Sequence, residues 1–245
     1  MHLDEFSEGH SFFHKMDPRV KFIVFIPLVF VIALSKNITA GAISLLLAVI
    51  FIFIAKTSLK ALLKRLVVVN FFILFLWFTL PFSIQGKALF YLGKYIFSFE
   101  GAIYVLSISL KANAIFLFTI SILGTTEVFS LAHALLHLKF PKKLIELFFF
   151  FYRYISVLHK EYQRLFQAAK VRAFNPRTNL RTYRTYAYLL GMLFLRSYER
   201  SQRVYQALIL RGFKGEFPLI SHFQLRKQDL VFAVFMYGIG IFILI

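Results

Sequence analysis

The chain has no cysteine. That removes disulfide frameworks, cysteine zinc sites and thiol nucleophiles, and it leaves the redox compartment unreadable. Acids are scarce as well: 11 Asp and Glu stand against 29 Lys and Arg in 245 residues. Nearly all of them fall outside the apolar runs, so a membrane proton relay or an acid-rich magnesium site has few candidate residues. The sequence contains no G-x-x-x-x-G-K-[ST] phosphate loop, dinucleotide glycine fingerprint, H-E-x-x-H pair or G-x-S-x-G elbow. No cofactor is expected in this chain, and it is not expected to be an enzyme. The first residues are polar and acidic rather than basic and then apolar, so no cleavable signal is expected. Neither an internal repeat nor a disordered linker is visible.

What is present is apolar surface and positive charge. Hydrophobic residues make up 59% of the chain, 33 of them Phe, and the mean hydropathy is +0.72. Both values exceed what a soluble globule needs, so the chain reads as a membrane protein. The formal net charge of +18 also suits nucleic acid, but its distribution argues otherwise. Residues 125–228 hold eighteen Lys and Arg against five Asp and Glu, between apolar spans. Such an excess is what the positive-inside rule produces in cytoplasmic segments, and no nucleic-acid partner is expected.

Residues 20–34 and 41–55 are apolar runs joined by a short polar link, a helical hairpin in outline, with Pro27 inside the first run. Lys56, Lys60, Lys64 and Arg65 follow as a basic loop without an acid, which places both that loop and the N-terminus inside. A third span covers residues 66–84, ending near Pro81 and carrying Asn70. Residues 85–100 read as an outside loop with interfacial aromatics, and residues 101–124 as a fourth span with Lys111 and Asn113 at depth. An intramembrane charge is a functional candidate by default, but Lys111 also suits snorkelling or pairing with a polar group such as Asn70. Before the first span, His2, His10 and His14 accompany Asp4, Glu5, Glu8 and Asp17. They form a solvated segment, with a short amphipathic helix at Phe12 and Phe13, rather than a metal site, because no ligand spacing recurs.

From Thr125 onward charges recur every few residues and no run reaches spanning length until residues 230–245. Residues 127–137 read as a short helix with Thr126 as N-cap, and Pro141 precedes a long helix over 142–173 that Asn175-Pro176 ends. A further helix over 179–210 aligns Arg196, Arg200 and Arg203 on one stripe, with Glu199 in reach of Arg203, and Gly212 terminates it. The fold class is therefore all-α: a polytopic membrane protein of about five transmembrane helices with a cytoplasmic helical insertion. Its regions are residues 1–124, 125–228 and 229–245, in one integral domain.

Two arginine units punctuate the insertion, Val171-Arg172-Ala173 and Leu210-Arg211-Gly212, thirty-nine residues apart. Each closes a helix and is followed by Phe and a breaker, in Phe174-Asn175-Pro176 and Phe213-Lys214-Gly215. An arginine beside a small residue suits a narrow protein groove, since its planar fork offers five donors. Capping of helix carbonyls and contact with lipid phosphate fit the same spacing equally well.

At these residues the sequence resembles the transmembrane coupling subunit of energy-coupling factor transporters, the EcfT/CbiQ family. The likeness runs through HKMDPRVK at residues 14–21, YRY at 152–154, Glu161, Ala168-Ala169, RSYER at 196–200 and RGFKG at 211–215. It implies that Arg172 and Arg211, within Val171-Arg172-Ala173 and Leu210-Arg211-Gly212, dock two ABC-type ATPase subunits. Val171 and Leu210 stand where the family usually has alanine. The resemblance further implies a CbiM-like membrane S-component that holds substrate, ATP and Mg bound by the ATPases alone, and the inner membrane of a prokaryote as the location. It is closest to the cobalt-type branch, so cobalt or nickel is the expected substrate, with a vitamin such as biotin as the alternative. A membrane enzyme or a lipid-binding protein is the reading from another class.

Overall fold

The computed structural model describes residues 9, 11–35, 37–84, 86–92, 95–138, 140–213 and 225–244. His2, Asp4, Glu5, Glu8, His10, Lys36, Lys94, Lys214 and Gly215 lie outside the described residues. The chain divides into two compact units, residues 139–222 and the residues on either side of them.

The flanking unit is a bundle of apolar helices. After a 3-10 turn at Phe13–Lys15 come α1 (Pro18–Leu34), α2 (Ile38–Ala55) and α3 (Leu59–Ser83). A hairpin of β1 (Ala88–Leu92) and β2 (Tyr95–Ser98) leads to α4 (Phe99–Phe118), which ends in a π-turn at Thr119–Leu123. The short α5 (Val128–His137) follows, and α8 (Lys227–Leu244) closes the unit. Among the described residues three helices, α2, α3 and α4 with its π-turn, are long and apolar enough to cross a membrane, while α1 and α8 have 17 and 18 residues. The protein is thus an all-α polytopic membrane protein.

Several local features follow from sequence chemistry. Asp17 caps α1 by accepting from the Arg19 amide at 2.9 Å, with Pro18 at the first helical position, where its missing donor costs nothing. Pro27 lies inside α1 and cannot donate to the carbonyl of Ile23. The Tyr237 hydroxyl of α8 donates to that carbonyl instead, at 2.9 Å, and α1 and α8 pack together there. Ala40, Ser44 and Ala48, one turn apart along α2, are buried and let its backbone approach its neighbours, of which α4 is the chief one. The centre is aromatic: Phe51 lies 5.3 Å from Phe13 and 5.4 Å from Phe118, ring centre to ring centre. Gly101 is required by close approach, since a Cβ there would sit 2.8 Å from Pro81 Cα.

Four expectations need correction. Phe13 is buried in the bundle rather than lying on an amphipathic helix, because the 3-10 turn folds it onto Phe51 and Phe232. Lys60, Lys64 and Arg65 belong to the opening turns of α3 rather than to a loop; lysine and arginine are good helix formers whose long stems reach past an apolar surface. Residues 85–100 contain a β-hairpin, and Glu100 accepts from the Lys87 amide at 2.7 Å to close its base. Glu127, not Thr126, stands at the N-cap of α5, and the Thr126 hydroxyl accepts instead from Lys21.

The other unit consists of α6 (Lys142–Val171) and α7 (Leu180–Leu210), each about 45 Å long at 1.5 Å per residue. Asn179 caps α7, its side chain accepting from the Thr182 amide at 2.9 Å. Both helices are amphipathic, and they bury only Ile145, Leu165, Thr182 and Leu189.

Candidate docking site at two helix ends

The two arginine units are the same structure built twice. Arg172 and Arg211 are the C-cap residues of α6 and α7, with φ/ψ of −85°/26° and −88°/9°. The residue after each is left-handed, Ala173 at φ 60° and Gly212 at φ 80°. Phe174 then donates its amide to Ala169 and Ala173 to Lys170; Phe213 donates to Leu208 and Gly212 to Ile209. Both ends are therefore Schellman motifs, in which the two amides beyond the cap satisfy carbonyls of the last turn. Gly212 suits this left-handed backbone, whereas Ala173 adopts it with a Cβ. α6 ends at Val171, with Arg172 as its C-cap, ahead of Asn175-Pro176.

Arg172 and Arg211 are both exposed, and among the described residues neither guanidinium enters an ion pair. Val171 and Leu210, beside the arginines, are 89% and 88% exposed. Each helix therefore ends in an uncovered aliphatic side chain next to a cation.

The first end is braced by aromatic rings. Phe174 meets Phe166 of α6 and Tyr186 of α7 edge-on, at 6.4 and 5.7 Å, and Phe166 stacks on Tyr186 at 6.3 Å. About three turns before the end of α6, the Glu161 carboxylate receives Arg196 from α7 and lies 3.7 Å from Arg164. The hydrogen bond from Arg196 holds the Glu161 carboxyl below its ordinary range, and the charges of Arg196, Arg164 and Arg200 act in the same direction. The expected pairing of Glu199 with Arg203 does not form; among the described residues the ion pairs of this unit both use Glu161.

The intramembrane polar residues are otherwise arranged than expected. Lys111 does not meet Asn70; its ammonium donates to the Ser35 carbonyl at the C-cap of α1, where the helix dipole is negative. Gly41 packs beside Leu110 and Lys111, so Lys111 is level with the turn between α1 and α2. Asn70 and Asn113 exchange reciprocal amide hydrogen bonds at 3.0 and 3.1 Å, and their remaining N–H groups donate to Leu66 and Ser109 carbonyls. All four amide hydrogens are used, and Trp77 adds a bond to Ser109 at 3.0 Å. These residues fasten α3 to α4 and leave no donor for a substrate.

Sequence reasoning missed Lys21. It is fully buried, donates to the hydroxyls of Thr125 and Thr126, and has the buried carboxylate of Asp229 as its facing charge. The start of α1, the end of α4 and the start of α8 meet there. The available signal was a lone lysine within the first turn of an apolar helix. Among the described residues no three His, Asp or Glu side chains are grouped to hold a metal ion.

Comparison with known proteins supplies a family. The sequence profile of CbiQ, described as cobalt transport protein, matches residues 9–221. The energy-coupling factor transporter transmembrane protein EcfT of Streptococcus equi subsp. equi is 24% identical over 258 residues, covering 99% of this chain and 96% of the relative. Two uncharacterized proteins of Methanocaldococcus jannaschii also match. One is 24% identical over 95% of this chain and 82% of its own length; the other is 27% identical over 49% and 44%.

Proposed function

Since this chain belongs to the CbiQ family of cobalt transport proteins, we propose that it is the coupling subunit of an ATP-driven energy-coupling factor importer. In this reading, two ABC-type ATPases bind ATP and Mg and dock at Arg172 and Arg211, and a CbiM-like S-component holds the substrate, cobalt or nickel. The chain itself has no catalytic role and carries motion between them. The N-terminus and the α6–α7 unit are cytoplasmic. Supporting this orientation, the start of α1, the basic start of α3, the end of α4 and the start of α8 all fall on the inner side of one alternating topology.

The observation that carries the reading is the duplicated helix end. Two backbones of the same conformation, each presenting an exposed arginine beside an uncovered aliphatic residue, suit two copies of one kind of partner surface. Closure of the ATPase pair would change the separation of the two ends, and the long rigid helices would transmit the change. The test is co-purification of the chain with its ATPases, together with metal uptake by cells expressing the complex. The Arg172→Ala, Arg211→Ala double variant is expected to lose ATPase binding and uptake while still inserting in the membrane. Full retention of both would refute the docking assignment, and accumulation of a vitamin in place of cobalt or nickel would reassign the substrate.

A further inference from the structure

Lys21, at the start of α1, is buried, as are two polar residues from distant parts of the chain, Thr125 and Asp229. Its ammonium donates to the Thr125 hydroxyl at 3.3 Å and to that of Thr126. Thr125 passes the contact on: its hydroxyl donates to the Ser121 and Ile122 carbonyls, at 3.0 and 3.1 Å, in the π-turn that ends α4. Asp229 supplies the facing negative charge and accepts from the Arg226 amide at 3.0 Å, as the acidic residue of a capping box does at a helix start. These groups stand where the unit of residues 139–222 is joined to the bundle. Residues 126–138 lead from Thr125 toward that unit, and the chain returns from it into α8 just ahead of Asp229.

We infer that Lys21 is a positioning residue for coupling, a buried tie that makes the end of α4 and the start of α8 move as one body when the 139–222 unit is displaced. The inference rests on the coupling reading and names the point at which motion enters the membrane bundle. Three observations carry it. An ammonium withdrawn from water is costly, and a neutral hydroxyl or amide would fasten Thr125 without that cost; only a cation also attracts Asp229 and so engages both links at once. A π-turn is rare in helices and concentrates at functional sites, and here one adjoins the first link. α1 is the element common to both links, since it packs against α5, the π-turn and α8, and its own start is fixed by the buried cap Asp17.

The experiment uses the full chain, assembled with its ATPases and S-component in proteoliposomes. Lys21→Met alone strands the Asp229 charge, so the informative variant is Lys21→Met, Asp229→Asn, which removes both charges together. This variant is expected to insert, bind the ATPases and hydrolyse ATP as the unaltered chain does, while cobalt taken up per ATP falls at least roughly fivefold. Loss of insertion, or uptake and hydrolysis falling together, would show a merely structural role and overturn the proposal, as would an unchanged ratio. A second readout needs no substrate. Because the chain has no cysteine, spin labels at Leu138→Cys and Leu225→Cys report on the two links. Their separation is expected to be narrowly distributed in the unaltered chain, with or without ATP, and broadened in the variant. Equally narrow distributions in both overturn the tie. Failure of the unaltered chain to bind the ATPases overturns the coupling reading and the role of Lys21 with it, whereas an active complex with an unchanged ratio overturns the role of Lys21 alone.

Discussion

Ala173 and Gly212 hold the same left-handed position, yet only one of them is the residue that suits it. A Cβ in this conformation costs about 1 kcal/mol or somewhat more, so Ala173 carries a strain that Gly212 lacks. Ala173→Gly is expected to stabilise the end of α6 by about 1 kcal/mol, and Gly212→Ala to destabilise the end of α7 by a similar amount. A Cβ at Gly212 would meet nothing within 4 Å, so the backbone alone sets this cost. Amide exchange at Phe174 and Phe213, whose N–H groups close the two motifs, measures it: slower by roughly fivefold in the first variant and faster in the second. Unchanged exchange in both would mean that these caps do not govern the helix ends. The same residue-scale logic explains Tyr237, whose hydroxyl serves a carbonyl that Pro27 leaves without a donor.

At the scale of elements, α6 and α7 are held by few contacts relative to their length, and Glu161 is central to them. Its folded pKa lies below its ordinary value, so the unfolded chain binds more protons in the acidic range. The contribution of Glu161 is therefore fully present above the ordinary carboxylate value of about 4.5 and is lost as pH falls through the depressed folded value. Glu161→Gln is expected to loosen the α6–α7 pairing at pH 7, seen as faster amide exchange around residues 161 and 196. The difference from the unaltered chain should shrink as pH falls below the ordinary carboxylate value of about 4.5. A difference that persists undiminished at acid pH would assign the effect to packing rather than to charge. α3 shows a different balance: only 11% of its span is buried within the chain, and the Asn70–Asn113 exchange and the Trp77–Ser109 bond fasten it to α4.

For the whole molecule, the absence of cysteine gives a direct test of orientation. Asn37→Cys, at the exposed turn between α1 and α2, is expected to react with an impermeant thiol reagent added outside intact cells, whereas Lys60→Cys should react only after permeabilisation. The reverse pattern would invert the topology and remove the coupling unit from the ATPases. The membrane class, the order of the helices and the positions of the two arginine units were legible because they depend on local properties: hydropathy summed over a span, charge near its ends, and the punctuation of helices by glycine, proline and capping residues. The hairpin was not legible, since its aromatic run between two apolar helices suits an interfacial loop as well as a strand. Nor were the partners of Lys111 and Lys21. An ammonium withdrawn from solvent in whole or part goes to whichever carbonyl or hydroxyl the packing delivers, here Ser35 and Thr125 with Thr126, and no spacing along the chain records that meeting. The sequence by itself thus determined that the chain lies in a membrane and presents two arginine helix ends. Only the tertiary structure decided that those ends share one backbone geometry and that Lys21 meets the end of α4 and the start of α8, because a cap's handedness and a buried cation's partners depend on hydrogen bonds and packing that sequence distance does not encode.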